Sequence, residues 1–338
     1  MAKITILGAG GFGLSLAIMW SKNGHQVCVW SHNEAMAKKL QAEREHKSLL
    51  KGRKIPESVF ISSDIGICED SDFVVIAVPS GAVRESVSLI KSIIKPSAVV
   101  VCVSKGFEEG SLKLLSEVME EELGERNKCA VLSGPSHAEE VSLLEPTTVV
   151  CASRDIATAQ KVQNALMNTS FRVYISDDII GVELGAALKN VIALASGCCD
   201  GLGYGDNAKA ALMTRGLTEI ARLGVSMGAK KETFAGLSGM GDLIVTCTSM
   251  HSRNRRCGIL IGQGKSAKEA ISEIGMTVEG YKATKAGYEL SQKYKMEMPI
   301  IKACYKVLYE ELNPREAITR LMNRPPRNEH EEIWLYSI

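Results

Sequence analysis

Ile4-Thr5-Ile6-Leu7-Gly8-Ala9-Gly10-Gly11-Phe12-Gly13 is the stretch that decides the fold. A short apolar run meets glycines spaced Gly-x-Gly-x-x-Gly, and a segment with helical spacing, Phe12–Lys22, follows at once. The glycine pattern is weak in isolation. After a strand, at the head of a helix and inside a unit of βαβ length, it marks a dinucleotide-binding turn. Gly8 permits the tight turn, Gly10 clears the approach of a pyrophosphate, and Gly13 lets the helix pack closely. The helix N-terminus then offers free N–H groups to phosphate. The alternative is a glycine-rich turn that binds nothing.

Working outward, Lys3–Leu7, Gln26–Trp30, Phe73–Val78, Ala98–Val103 and Lys128–Leu132 read as buried strands. Between them Phe12–Lys22, Asn33–Gln41, Gly81–Ile94 and Leu112–Leu123 have helical spacing, and Thr147–Ala152 and Phe171–Ile175 add further strands. Near-continuous apolar strands alternating with helices predict an α/β fold, a Rossmann-type doubly wound, mostly parallel sheet. After Asp178 the strand signals stop. Ile179–Gly197, Ala208–Met227, Ser266–Ile274, Ala283–Tyr294 and Met298–Tyr309 all read as helices. We therefore expect a dinucleotide-binding domain over 1–178 and an all-helical substrate domain over 179–338. The tail after Arg324 reads as a solvated end.

The bulk properties agree. A chain of 338 residues is long for a single small core. A net charge of +1 provides no global field for nucleic acid or an anionic membrane, so any anion site is local. None of the ten cysteines is spaced Cys-x-x-Cys, which argues for reduced, mostly buried thiols in a cytoplasmic protein and against a metal such as zinc. The run Met1–Leu7 reaches glycine too soon for a signal peptide, and the longest purely apolar run, Ala98–Val103, is too short to cross a bilayer.

Choice of dinucleotide depends on the end of the second strand. An NAD site usually carries an acid there to accept from the ribose hydroxyls. Trp30-Ser31-His32-Asn33-Glu34 lacks it at the first positions, and His32 stands where a 2′-phosphate would be met. This favours NADPH, with NADH also open through Glu34, which otherwise caps the next helix or faces solvent.

Ligands of such sheets bind at the carboxyl ends of strands. Val78-Pro79-Ser80 is a turn that either walls a cofactor or simply stops a strand. Lys105, in Ser104-Lys105-Gly106, either points an ammonium into the crevice or is solvated. Ser136 and Glu139 have the spacing of a capping box, a geometry that also makes a small anion site.

In the second half, Lys189 is the lone charge of Gly185–Gly197. Its face carries Gly185, Ala186, Ile192, Ala193 and Ser196, mostly small, which would leave space around the amine. A desolvated lysine exchanges a proton near neutrality, whereas a snorkelling lysine at a domain edge would not. Asp242, among glycines, is a carboxylate that could hold such a lysine or cap a helix. Ser252-Arg253-Asn254-Arg255-Arg256 concentrates three guanidinium groups, suited to phosphate or to a solvated basic loop.

Together these motifs resemble the bacterial NAD(P)-dependent glycerol-3-phosphate dehydrogenases along nearly the whole chain. The matching stretches are Gly8–Gly13, Ser104–Gly106, Ser133–Ala138, Leu188–Asn190, Gly203–Asn207, Thr214–Gly216, Gly239–Asp242, Thr246–Thr248, Ser252–Arg256 and Val278–Tyr281. The resemblance implies reversible reduction of dihydroxyacetone phosphate to sn-glycerol 3-phosphate for phospholipid synthesis, with NADPH or NADH. By position Lys189 matches the family's proton acceptor. Lys105, Gly134, Ser136, Asp242, Ser252, Arg253 and Asn254 match its substrate contacts. Gly11, Phe12, His32, Lys105, Ala138, Arg253 and Glu279 match its cofactor contacts. Two positions depart: Asn33 replaces a second basic residue common in the family, softening the NADPH preference, and Thr277 replaces a common valine near the adenine-ribose side. Family analogy also implies a homodimer without stable membrane insertion.

The competing readings are a β-hydroxy acid dehydrogenase of similar plan, a UDP-sugar dehydrogenase and a non-catalytic dinucleotide sensor. The first resembles a pattern with asparagine four residues after the lysine, whereas Asn190 follows Lys189 directly and position 193 is Ala. The second needs a nucleophilic cysteine, for which Cys247 and Cys257 have no evident base. The third needs neither Lys189 nor Arg253.

Overall fold

The computed structural model describes residues 1–326, 328 and 329. It divides into two compact units, Met1–Ile179 and a second that begins at Ile180.

The first unit is built on eight strands: β1 Lys3–Leu7, β2 Gln26–Trp30, β3 Phe60–Ser62, β4 Phe73–Ile76, β5 Val99–Cys102, β6 Lys128–Ser133, β7 Thr147–Ala152 and β8 Phe171–Ser176. Their order is 3-2-1-4-5-6-7-8. All neighbours are parallel except β6 and β7. Leu7 lies opposite Trp30 on one side and Ile76 on the other, so the glycine turn leaves the sheet between β2 and β4. The strand order reverses there, which places the crevice of a doubly wound sheet at the end of β1. The central strands read as unbroken apolar runs because both their faces are covered: β4 and β5 are buried throughout.

A strand and an α-helix of this unit are absent from the sequence reading. β3 is only three residues long, and its Phe60 is 50% exposed. The Ile156–Leu166 helix connects β7 to β8 and is capped by Asp155, which accepts from Ala157 N–H. Its Ala159, Val162 and Leu166 pack into the core.

The second unit is helical throughout its described residues. Four helices add to the five expected: Lys231–Phe234, Asp242–Thr248, Arg253–Gly262 and Pro314–Met322. The Ile179–Gly201 helix is long and apolar enough to cross a membrane by length and composition, yet 89% of its most apolar window is buried, so it is a core helix. It meets the Arg253–Gly262 helix through two matched glycine pairs. A Cβ on Gly197 would lie 2.0 Å from the Arg255 carbonyl oxygen, and one on Gly201 would lie 2.2 Å from that of Ile259. Reciprocally, a Cβ on Gly258 would lie 2.0 Å from the Leu194 oxygen, and one on Gly262 would lie 2.4 Å from that of Cys198. Both helices thus carry Gly-x-x-x-Gly on the contacting face, which brings backbone against backbone.

Glu219, 3% exposed, holds the start of the Pro299–Tyr309 helix by accepting N–H groups of Ile300 (2.8 and 3.1 Å) and Ile301 (3.2 Å). Burial pushes its carboxyl up to about 7, while those N–H donors pull it partly back. The folded state therefore retains a proton that the unfolded chain has released. This contribution is full below the ordinary glutamate value and is lost as pH rises through 7. Glu219→Gln should flatten the fall in melting temperature between about pH 4.5 and 7; an unchanged slope by calorimetry would rule Glu219 out as its source.

The expected solvated end is exposed at Pro325, Pro326, Asn328 and Glu329; Arg327 and residues 330–338 lie outside the described residues.

Candidate active site

In the first unit the glycine turn is shaped as its spacing demands. Gly8 has φ +119°, and a Cβ there would sit 2.4 Å from the Ala77 oxygen. Its N–H donates to the Trp30 carbonyl at 3.0 Å. Gly13 packs against the turn itself: its Cβ would lie 2.1 Å from the Gly8 oxygen. At Gly11 the neighbour is the Leu49 oxygen, 2.9 Å away. Gly10 differs, because a Cβ there would meet no atom within 4 Å. Protein packing explains the other three glycines, whereas at Gly10 a missing side chain leaves open space at the N-cap of the Gly11–Lys22 helix. No acid occupies the first turn of that helix. The residues fit a pyrophosphate on free N–H groups.

At the end of β2 the side chains divide their tasks. Asn33 is the cap of the Glu34–Glu43 helix, its Oδ1 accepting from Met36 N–H at 2.9 Å. Glu34 is exposed and pairs with Lys38 at 2.6 Å. His32 remains exposed at the strand end, its ring 6.4 Å from that of Trp30.

At the ends of β5 and β6 the expected residues converge on one carbonyl. Lys105 Nζ donates to the Gly134 oxygen at 3.3 Å, and Ser136 Oγ donates to the same oxygen at 3.0 Å. Gly134 has φ +143°, and a Cβ there would press on Val149 Cα at 3.0 Å. The capping-box expectation fails here. His137, not Ser136, precedes the Ala138–Val141 helix, and no side chain caps it, because the Ser136 hydroxyl is turned back to Gly134. Ser104 ties the neighbouring strand ends together by donating to the Val78 oxygen at 2.5 Å, so the Val78–Ser80 turn is anchored to the strand that presents Lys105.

In the second unit Lys189 is 5% exposed, with Asp242 at 1% and Thr246 at 4%. Lys189 Nζ donates to Asp242 Oδ1 at 2.5 Å and to Thr246 Oγ1 at 2.6 Å. The Thr246 hydroxyl donates back to the Asp242 carbonyl oxygen at 2.6 Å. A buried ammonium is sustained only by such pairing. The missing side chain of Gly185 does not leave empty space, contrary to expectation. A Cβ on Gly185 would lie 2.9 Å from the Ser238 oxygen, so the missing side chain seats the turn that delivers Asp242. That turn, Leu237–Gly241, is a single π-helical turn, and Asp242 begins the next helix. Thr246 had no role in the sequence reading; its signal is the i,i+4 spacing from Asp242, which puts both on one helix face.

The Ser252–Arg256 cluster is a helix start, not a loop. Ser252 is the buried cap, its Oγ accepting from Arg255 N–H at 3.2 Å. Arg255 pairs with Asp200 (2.8 Å) and donates to the Thr248 carbonyl (2.8 Å), so one of the cluster's three guanidinium groups is already engaged. Arg253 is half-buried and is the first residue of the helix, so its side chain starts beside the helix N-terminus. Asn254 is buried and engaged: its Nδ2 donates to Asn190 Oδ1 at 2.9 Å, and its Oδ1 accepts from Gly280 N–H at 2.8 Å. Asn190 in turn donates to Glu279 Oε2 at 3.2 Å. This network links Glu279 to the residue beside Lys189. Thr277 is exposed just before the Glu279–Lys293 helix.

The thiols nearest these groups are inert. Burial pushes Cys247 up to about 12 and Cys257 up to about 11, which leaves almost no thiolate at neutral pH. Cys247→Ala should leave turnover unchanged while costing about 1 kcal/mol of stability. Loss of turnover in a variant that still folds would restore the cysteine-nucleophile reading.

Two family models cover most of the chain. The N-terminal model of NAD-dependent glycerol-3-phosphate dehydrogenase matches residues 3–159, and the C-terminal model matches 178–319. The chain belongs to this family. An NAD(P)+-dependent glycerol-3-phosphate dehydrogenase of Clostridium perfringens is 51% identical over 330 residues, 97% of this chain and 99% of the relative. One from Desulfitobacterium hafniense is 48% identical over 338 residues, covering 100% of this chain and 96% of its own. The crystal structure of the Coxiella burnetii glycerol-3-phosphate dehydrogenase superposes with TM-score 0.91 at 40% identity, over 96% of this chain and 99% of that one. Membership removes the β-hydroxy acid and UDP-sugar readings.

Proposed function

We propose that this chain interconverts dihydroxyacetone phosphate and sn-glycerol 3-phosphate, using NADPH or NADH, with Lys189 as its acid–base group. The observation that carries the acid–base role is the buried Lys189–Asp242–Thr246 cluster, a proton-carrying ammonium held by two oxygen acceptors.

The nicotinamide, when bound, supplies the hydride that reduces the C2 carbonyl. The chain's own residues do the rest. Gly10 and the following helix N-terminus receive the pyrophosphate; Gly11, Phe12, His32, Ala138, Thr277 and Glu279 are the further cofactor contacts we assign. Arg253 holds the substrate phosphate with the N-terminus of its helix, and Lys105, Gly134 and Ser136 hold the polar end of the carbon skeleton. Fixing the phosphate positions the carbonyl for transfer. Lys189 donates a proton to the developing C2 oxygen, and in the reverse direction takes it back. Asp242 and Thr246 keep the amine oriented. Ser252 and Asn254 act by shaping the helix start.

The product is the backbone of glycerophospholipids, and by family analogy the enzyme works as a cytoplasmic homodimer without stable membrane insertion. The direct test is loss of NADPH or NADH absorbance when dihydroxyacetone phosphate is added. No loss with either cofactor would refute the enzymatic reading and leave a dinucleotide sensor.

A further inference from the structure

We propose that Tyr309 is a positioning residue for cofactor binding, acting through Glu279 by holding the first turn of the Glu279–Lys293 helix. The role rests on Glu279 being a cofactor contact, as assigned above. That helix starts without a cap of its own. Val278 stands at the N-cap, and a valine has no side-chain oxygen to accept the free N–H groups of the first turn. An uncapped first turn frays, and a fraying turn would carry Glu279 with it. What fixes this turn therefore comes from other helices of the second unit.

Three helices supply it. The Gly280 N–H donates to Asn254 Oδ1 at 2.8 Å, on the Arg253–Gly262 helix. A Cβ on Gly280 would lie 2.6 Å from the Asn190 carbonyl oxygen, so the turn seats on the main chain of the Ile179–Gly201 helix. The Asn190 side chain then donates to Glu279 at 3.2 Å. The third hold comes from Tyr309, the last residue of the Pro299–Tyr309 helix. Its Oη donates to the Tyr281 carbonyl oxygen at 2.8 Å, two residues after Glu279, and the two rings lie 4.5 Å apart. Tyr309 also stacks on Tyr305 at 5.0 Å, and Tyr305 on Tyr288 at 4.1 Å. Four rings thus run Tyr281–Tyr309–Tyr305–Tyr288 between the two helices. Stacked rings have preferred offsets, so the ladder sets the register of one helix against the other. At its Glu279 end the ladder finishes in a directional bond to the main chain, which fixes the turn itself.

The test is the dissociation constant of NADPH, read from the change in its fluorescence on binding to the full-length protein. Tyr309→Phe removes the hydroxyl and keeps the ring. It is expected to weaken NADPH binding by about threefold to tenfold, the worth of one hydrogen bond, with kcat at saturating cofactor near that of the parent. Glu279→Gln also weakens binding, and adding Tyr309→Phe to it weakens binding no further, because both changes act at one carboxylate. Tyr288→Leu is the control. It breaks the ladder about 14 Å farther along the same helix, so it lowers the melting temperature and leaves NADPH binding as in the parent. Unchanged binding in Tyr309→Phe beside weakened binding in Glu279→Gln would overturn the proposal and leave the Glu279 contact standing. Additive losses in the double variant, or an equal loss in Tyr288→Leu, would reveal general loosening and overturn it as well. Parent-like binding in Glu279→Gln would remove the contact and the positioning role with it.

Discussion

Lys189→Met is expected to lower kcat by about 10³-fold, within the range that general acid–base groups supply. The binding of NADPH should be largely kept, because the pyrophosphate contacts we propose lie on the glycine turn of the first unit. Methionine removes the partner of a carboxylate that is 1% exposed, and breaking a buried pair from one side costs about 3–5 kcal/mol. A loss of turnover could then reflect a loosened fold. The companion variant is Lys189→Met/Asp242→Asn, which removes both charges and should recover much of that stability without recovering turnover. If turnover in the double variant rose with its melting temperature, Lys189 would be structural. If Lys189→Met alone kept turnover within tenfold, the acid–base assignment would be wrong.

Gly258→Ala is expected to destabilise the fold strongly. The added methyl would stand 2.0 Å from the Leu194 carbonyl oxygen and 2.9 Å from the Cys198 nitrogen. Both are backbone atoms, so no side chain can rotate away, and the two helices must separate. Overpacking of this kind costs about 3 kcal/mol or more, a drop of roughly 6–12 °C in melting temperature for a unit of this size. Because the displaced helix begins at Arg253, KM for the phosphate substrate should rise even where the protein stays folded. Gly264→Ala is the control, since a Cβ there meets no atom within 4 Å; its φ of +103° makes it strained on its own account, but without driving the helices apart. Equal effects on KM from both variants would show that helix separation is not the cause.

Most of the first unit was legible because its strands are covered on both faces and its turn is glycine-punctuated. β1, β2 and β7 fall where the apolar runs place them. β3 escaped because three residues with one exposed phenylalanine form no pattern. The Ile156–Leu166 helix escaped although its Ala159, Val162 and Leu166 have helical spacing, because alanine and threonine dilute the stripe. In the second unit Lys189 stood out as one charge in an apolar helix, and Asp242 as one acid among glycines. That they meet, and that Thr246 joins them, depends on the approach that Gly185 allows, which is a property of packing and not of local sequence. The arginine cluster misled for a related reason: composition counts guanidinium groups but cannot see that Asp200, 55 residues earlier, claims one of them.

The glycine seam between the Ile179–Gly201 and Arg253–Gly262 helices also acts as a ruler. Lys189 rides on one helix and Arg253 heads the other, and the helices are held by main-chain contact, which has no rotamers to adjust. The gap between Lys189 and Arg253, the proton donor and phosphate grip we propose, is therefore fixed by the skeleton of the protein. A displacement of about 1 Å can cost 10²-fold in rate, so a ketone phosphate longer by one carbon between carbonyl and phosphate should turn over at roughly a hundredth of the rate. Comparable rates for the two lengths, measured at saturation, would show that the gap adapts. On this view glycines whose neighbours are backbone atoms of the facing helix set which molecule the enzyme accepts.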